Sequence, residues 1–129
     1  MTQLTALKEL AEKVEAGAAP DYSLIRRGVV HDWDGVGDFV SRSYAWNAYI
    51  GSLDAAKALH EAVLPGWLVS IVPIPSRLTA TYSQDTVWHN AVRVFKPHVS
   101  GETAKNTDPA RAWLLAILRA KISELEAEA

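Results

Sequence analysis

An acidic, glycine-rich run at positions 32–38 is the first candidate for cation chemistry. A calcium loop needs closely spaced carboxylates on a sharply turning backbone. With Asp32 as the first loop position, Asp34 stands at a ligand position, but Val36 occupies the next one and Ser43 replaces the closing glutamate. Asp and Gly are also the usual turn residues. The run is therefore interpreted as a turn and not as a metal site.

The histidines and serines do not form a recognisable catalytic pattern. A helical zinc motif needs two histidines four residues apart with a carboxylate between them, and the common serine hydrolases carry Gly-x-Ser-x-Gly or Ser-x-x-Lys. Neither pattern occurs, and we place His60 on the polar side of its helix. We therefore predict no catalytic, cofactor-binding or metal-binding residues and no enzyme. A small hydrolase stays an alternative that needs a pocket where a histidine and a carboxylate converge. The histidines are His31, His60, His89 and His98.

Length and charge set broad limits on what the chain can bind. Its 129 residues predict a single domain, 1–129, long enough to bury a core without disulfides, which the absence of cysteine also excludes. The formal net charge of -2 gives no overall attraction to nucleic acid or to an anionic membrane. Without a leader or a long apolar run, we expect a cytoplasmic protein with no membrane association and no cofactor.

Two helices and an irregular crossover are predicted before residue 52. Leucines at helical spacing predict a first helix from Thr2 to Ala16, which Gly17 ends as a C-terminal cap. Asp21 is a good N-cap for a short second helix that reaches about Gly28. From Val29 to Gly51, turn formers alternate with aromatic residues, which predicts an ordered but irregular crossover packed on the body.

The stretch Ser52–Ile74 organises the rest of the chain. Ser52 is the predicted N-cap of a helix that begins at about Leu53, and the pair Pro65-Gly66 ends it. A strand over residues 67–74 follows, in which both alternating phases are apolar. Such a strand is typical of a sheet that is covered on both faces, so we expect helices on both sides of it.

The remaining segments predict two more strands and a closing helix. The alternation in Leu78–Tyr82 and Val87–Phe95 predicts strands, and Pro97–Asn106 is predicted to be a polar loop. Asp108 followed by proline opens the last helix, which frays from Glu124. Short turns between the strands exclude a parallel wound sheet. We predict an α+β fold with a three-stranded antiparallel sheet sandwiched between helices, in the order α-α-crossover-α-β-β-β-α.

Two segments resemble a known family. The run Ser52–Leu59, ending in Leu64-Pro65-Gly66-Trp67, and the run Thr107–Ala120 resemble the phage and prophage α-β-α sandwich domain family of small proteins. The resemblance implies a phage or prophage accessory protein, in the host cytoplasm or associated with the virion. It implies no catalytic or binding residues.

The crossover supplies the predicted contact surface. Aromatic residues are enriched in protein interfaces, so we predict that the chain acts through an unknown protein partner, including a second copy in a homo-oligomer. The alternative is that the rings only cover one face of the sheet. A nucleic-acid-binding module with α-β-β-β-α topology is a further alternative, although the lysine cluster that grips phosphates is missing. The rings of the predicted surface are Trp33, Phe39, Tyr44, Trp46 and Tyr49.

Overall fold

The computed structural model describes residues 2–29, 38–75, 88–96 and 101–128. Within these ranges the chain forms helices and an antiparallel sheet, which confirms the α+β class. In chain order the elements are α1 (Gln3–Ala16), α2 (Tyr22–Gly28), α3 (Asp38–Tyr49), α4 (Leu53–Val63), β1 (Leu68–Pro75), β2 (Trp88–Phe95), β3 (Glu102–Asn106) and α5 (Pro109–Glu128).

Side-chain caps fix the starts of three helices where the sequence predicts them. The hydroxyl of Thr2 accepts the amide of Thr5 at 3.2 Å, and the hydroxyl of Ser52 accepts the amide of Ala55 at 3.1 Å. The carboxylate of Asp21 accepts an amide in the first turn of α2. Each bond satisfies one of the amides that a helix start leaves free. At the other end of α1, Gly17 has a φ of 73°, as a left-handed C-terminal cap requires.

The prediction of an irregular crossover is wrong for residues 38–49, which form α3. Ser41, Ala45 and Ala48 are buried at spacings of four and three residues, so this segment has a narrow, small-residue helical face. The guanidinium of Arg42 ties α3 to α2 by donating to the carbonyl of Val29 at 2.9 Å. Small buried residues between large aromatic ones concealed this helical period.

The sheet has the order β1-β2-β3, and both pairs of strands are antiparallel. In the register, Ile71 lies opposite Val92, which in turn lies opposite Ala104. The prediction of a polar loop over Pro97–Asn106 is wrong from Glu102 onward, because residues 102–106 form β3. The predicted strand Leu78–Tyr82 lies outside the described residues.

Helix α5 covers one face of the sheet. It packs against β2 and β3, where Val92, Val94 and Ala104 point towards it and are buried. Its side chains also bind β3 directly: Arg119 Nη1 donates to the carbonyl of Thr103 at 2.7 Å, and Ser123 Oγ donates to a carboxylate oxygen of β3 at 2.7 Å. The helix continues through the predicted frayed tail to Glu128.

The expectation that helices cover both faces of the strand over residues 67–74, which is β1 in the structure, is wrong for the described residues. Leu68 and Val72 lie on the face opposite α5 and are 48% and 50% exposed. No described helix packs extensively against β1, which is an edge strand of the described sheet. The apolar content of both phases therefore does not reflect burial on both faces here.

The core lies between α5 and the other helices. Helices α1, α3 and α4 all contact α5, and one hydrophobic cluster joins them to β2 and β3. None of the described helices is both long and apolar enough to span a membrane. The largest fully buried aliphatic side chains include Leu7, Leu10, Ile25, Leu59, Leu114 and Leu118.

Candidate functional site

The structure divides the predicted aromatic surface. The residue Trp33 and the side chain of Phe39 lie outside the described residues. Tyr44 and Trp46 are half-buried and pack against the hydrophobic core, whereas Tyr49 is fully buried. Tyr49 therefore belongs to the core and not to a surface.

Tyr49 links three parts of the helical layer. Its hydroxyl donates to the carbonyl of Ala18 at 2.6 Å, and its own carbonyl accepts Arg111 Nε at 2.7 Å. The Arg111 guanidinium also lies 5.8 Å from the centre of the ring. Burial raises the pKa of the Tyr49 phenol above its ordinary value of 10.0, a shift that Arg111 partly opposes and Asp21 reinforces. These contacts give Tyr49 a structural role.

The substitution Tyr49→Phe is expected to lower the free energy of unfolding by about 1 kcal/mol, since it removes one partly buried hydrogen bond. Because the folded state raises the pKa, the hydroxyl stabilises the protein fully below pH 10. This contribution is lost as the pH rises through the raised pKa. Urea unfolding at pH 7 and above pH 10 should show the difference between Tyr49→Phe and wild type shrinking. A difference that grows with pH would contradict the assignment.

Trp46 packs against the partly exposed ring of Tyr22, on the helical side of the molecule. Its ring meets that of Tyr22 edge-on, with centroids 6.1 Å apart and planes at 72°. Tyr22 is 46% exposed, and Trp46 packs inward against the core. Each ring covers part of the other, so less of their aromatic surface is accessible to a partner.

The largest apolar exposure on a single described element is on β1. We define the β1 surface as Leu68, Val69, Ile71 and Val72, which are 48%, 37%, 40% and 50% exposed. Single exposed aliphatic residues are ordinary, whereas larger exposed apolar areas mark contact sites, so four such residues on one strand make β1 the candidate contact element. The signal was present in the sequence, since residues 67–75 contain no charged side chain.

The β1 surface has two sides, which follow from the register. Leu68 and Val72 point away from α5, on the face that also carries Arg93 and Phe95. Val69 and Ile71 point to the face that α5 covers over β2 and β3, but they lie beyond the helix. Both sides of the strand are therefore accessible.

The structure corrects the placement of His60, which is 4% exposed and not on a polar helix face. Its Nδ1 accepts the indole N–H of Trp113 at 3.1 Å, and its Nε2 lies 2.9 Å from the carbonyl of Trp67. Because an indole can only donate, Nδ1 carries no proton and Nε2 donates to the carbonyl. Both ring nitrogens are engaged, so His60 bridges α4, α5 and the residue that precedes β1 and is not placed to act as a general base.

A shallow cleft of about 270 Å³ lies beside the start of α5 and is the place where the hydrolase alternative can be examined. His89 and Glu15 both line it. However, the Glu15 carboxylate forms an ion pair with Arg119 at 3.3 Å, and no hydrogen bond joins it to His89 in the described structure. The carboxylate is thus held by a cation and is not positioned to activate the histidine.

The same cleft bears on the nucleic-acid alternative. The described elements follow the order helix-strand-strand-strand-helix from α4 to α5, although β3 is not one of the predicted strands. Lys105 and Arg111 line the cleft. At the start of α5, however, Asp108 Oδ1 accepts the amides of Ala110 at 2.8 Å and Arg111 at 3.2 Å. A carboxylate thus occupies the amides that would otherwise attract a phosphate. This arrangement does not favour RNA binding.

The described residues contain no group of three or more His, Cys, Asp or Glu side chains that could hold a metal ion. The acidic run at positions 32–37 lies outside them. Comparison with family models, with curated proteins and with solved structures finds no match to this chain.

Proposed function

We propose that this chain is a non-enzymatic accessory protein that acts through protein–protein contacts, and that the β1 surface is the contact site. The observation that carries the proposal is the exposure of four aliphatic side chains on one uncharged edge strand. Burying apolar surface of this kind favours association by roughly 25 cal/mol per Å², from which the cost of lost translational and side-chain freedom is subtracted. The strand edge adds main-chain hydrogen-bonding groups that a partner strand can use.

The proposal moves the contact site away from the crossover rings. Tyr49 is buried, and Trp46 is packed between Tyr22 and the core, so these rings offer less free apolar area than β1. Tyr44 and Trp46 stay candidates for a secondary contact. The phage or prophage origin rests on the resemblance of the segments Ser52–Trp67 and Thr107–Ala120 alone, and it stays part of the proposal.

Site-specific photo-crosslinking in the cells that naturally produce the protein tests this function. A benzophenone amino acid at Val72 should give discrete protein adducts, because this side chain lies in the β1 surface. The matched control carries the same group at Lys57, which is exposed on α4 and does not belong to the β1 surface. The adducts are identified by mass spectrometry.

The comparison between the two positions decides the outcome. Adducts at position 72 that disappear in a Leu68→Lys background, with none at position 57, would support the β1 surface as the contact site. Equal labelling at both positions, or no adduct at position 72, would overturn it.

A further inference from the structure

We infer that the β1 surface binds a second copy of this chain, by antiparallel pairing of the two β1 edges about a two-fold axis at Ser70. The inference rests on the proposed function, because it names the partner of that surface. It follows from which backbone groups β1 leaves available, from the charge of the strand and from the side chains that the axis brings together.

The prolines of β1 indicate which residues direct their backbone N–H and C=O groups away from β2, towards the free edge of the strand. Backbone groups in an antiparallel strand point alternately to its two neighbours, and a proline has no N–H to give to either. Pro73 and Pro75 therefore suit the positions that face away from β2. By the same alternation, the backbone groups of Val69 and Ile71 also point away from β2. Their N–H groups are donors available to another strand.

The free N–H groups on this edge of β1 are limited to two residues. Trp67 lies two residues before Val69, so its N–H would point to the same side of the strand. That N–H, however, already donates to the carbonyl of Leu64 at 3.0 Å. At the other end Pro73 has no N–H. The available donors, Val69 and Ile71, are therefore centred on Ser70.

This symmetry suits a two-fold axis. With the axis at Ser70, Val69 of one copy pairs with Ile71 of the other and both exchange N–H···O hydrogen bonds. On the face away from α5, Leu68 then lies against Val72 of the other copy. Such cross-strand aliphatic pairs stabilise a sheet. A two-fold interface requires a surface that is complementary to itself, and this one is.

The lack of charge on β1 permits pairing with a second copy, and the small area of one strand edge limits the affinity. A charged strand would place like charges together across the axis, but residues 67–75 carry none. A standard interface buries roughly 800 Å² on each partner, of which one strand edge provides only a part. We therefore expect a weak dimer whose population rises with protein concentration between about 5 and 500 μM.

Disulfide trapping tests the register of the pairing. Ser70 lies opposite itself at a non-hydrogen-bonded position, where Cα atoms are about 4.5 Å apart, within the range that a disulfide spans. The chain has no cysteine, so the thiol of Ser70→Cys is unique. The matched control is Thr103→Cys, an exposed residue on the same sheet face of β3. Under a mild oxidant, Ser70→Cys should form covalent dimers at least about tenfold faster than Thr103→Cys.

A second variant checks that the edge itself is responsible. Adding Ile71→Lys to Ser70→Cys places a charge at the paired edge and should reduce cross-linking to the rate of Thr103→Cys. Its circular dichroism and melting temperature should match those of Ser70→Cys. If this variant does not fold, the comparison of the single-cysteine proteins still decides.

Two results would overturn the dimer. One is equal cross-linking of Ser70→Cys and Thr103→Cys, and the other is a wild-type sedimentation coefficient that stays monomeric over the whole concentration range. Photo-adducts of position 72 with a different protein and none with this chain would remove the dimer but keep the proposed function. Absence of any adduct at that position would remove the proposed function itself.

Discussion

Replacing His60 with alanine is expected to lower the free energy of unfolding by about 3 kcal/mol. The substitution leaves the indole N–H of Trp113 and the carbonyl of Trp67 without their partner and opens a cavity where α4, α5 and β1 meet. Urea unfolding followed by circular dichroism and by tryptophan fluorescence measures the loss, and the fluorescence of the folded state should change because Trp113 lies beside the ring.

Two controls distinguish the loss of the His60 hydrogen bonds from the general effect of a substitution on α4 on the free energy of unfolding. Lys57→Ala, at an exposed position of the same helix, should change the stability by less than about 0.5 kcal/mol. A double-mutant cycle with Trp113→Phe should give an interaction energy of about 1 kcal/mol, because the substituted groups bind each other directly. If His60→Ala cost no more than Lys57→Ala, the bridge would not contribute to stability.

The substitution Gly101→Ala is the second change for which we expect a large effect. A Cβ atom at this position would lie 1.9 Å from the carbonyl oxygen of Val94 and 2.6 Å from the Cβ of Phe95. Both belong to β2, so the backbone must move and the pairing of β3 must adjust. Overpacking of this kind costs roughly 1–3 kcal/mol, and we expect the upper end of this range because a backbone atom is in the way.

Gly17→Ala is the matched control for Gly101→Ala. At Gly17 a Cβ meets nothing within 4 Å, and only its φ of 73° disfavours alanine. This control should cost about 1 kcal/mol. Denaturant titration gives both free energies, and hydrogen exchange should show faster exchange of the β3 amides in Gly101→Ala alone. Equal costs for the two variants would mean that the close approach to Val94 is relieved without strain.

Local chemistry made much of the helical layer predictable. A hydroxyl or carboxylate at a helix start acts on amides two or three residues away, so Asp21, Ser52 and Asp108 identify their helices from the sequence alone. The leucine spacing predicts α1, and Thr2, which was predicted to be its first residue, is its N-cap. Glycine at the end of α1 acts through its own φ. These signals require no knowledge of the tertiary structure, which explains why the starts of α2, α4 and α5 agree with the prediction.

The failures concern features that depend on distant neighbours. β3 contains Glu102, Thr103 and Lys105 and has little intrinsic strand character, so it forms a strand through its pairing with β2. His60 is polar by type, and only the arrival of Trp113, 53 residues later, makes its burial acceptable. No local pattern reports such a partner.

The candidate site illustrates the same limit. The sequence correctly shows that β1 is apolar in both phases, but the number of helices that cover a strand depends on its position in the sheet. In the middle of a sheet this pattern predicts burial, and at the edge it leaves Leu68 and Val72 open. Aromatic density pointed to the crossover for the same reason, because it cannot distinguish Tyr49 in the core from a ring on the surface.

The β3 border of the described sheet is poorly suited to pairing with a further strand. The carbonyl of Thr103 is held by Arg119, and Glu102 is held by Ser123, so α5 locks the outer strand β3 in place. The exposed ammonium group of Lys105 further discourages an incoming strand. A dimer paired through β1, as proposed above, would present a blocked β3 border at each end of its joined sheet, so we do not expect it to grow into a cross-β filament.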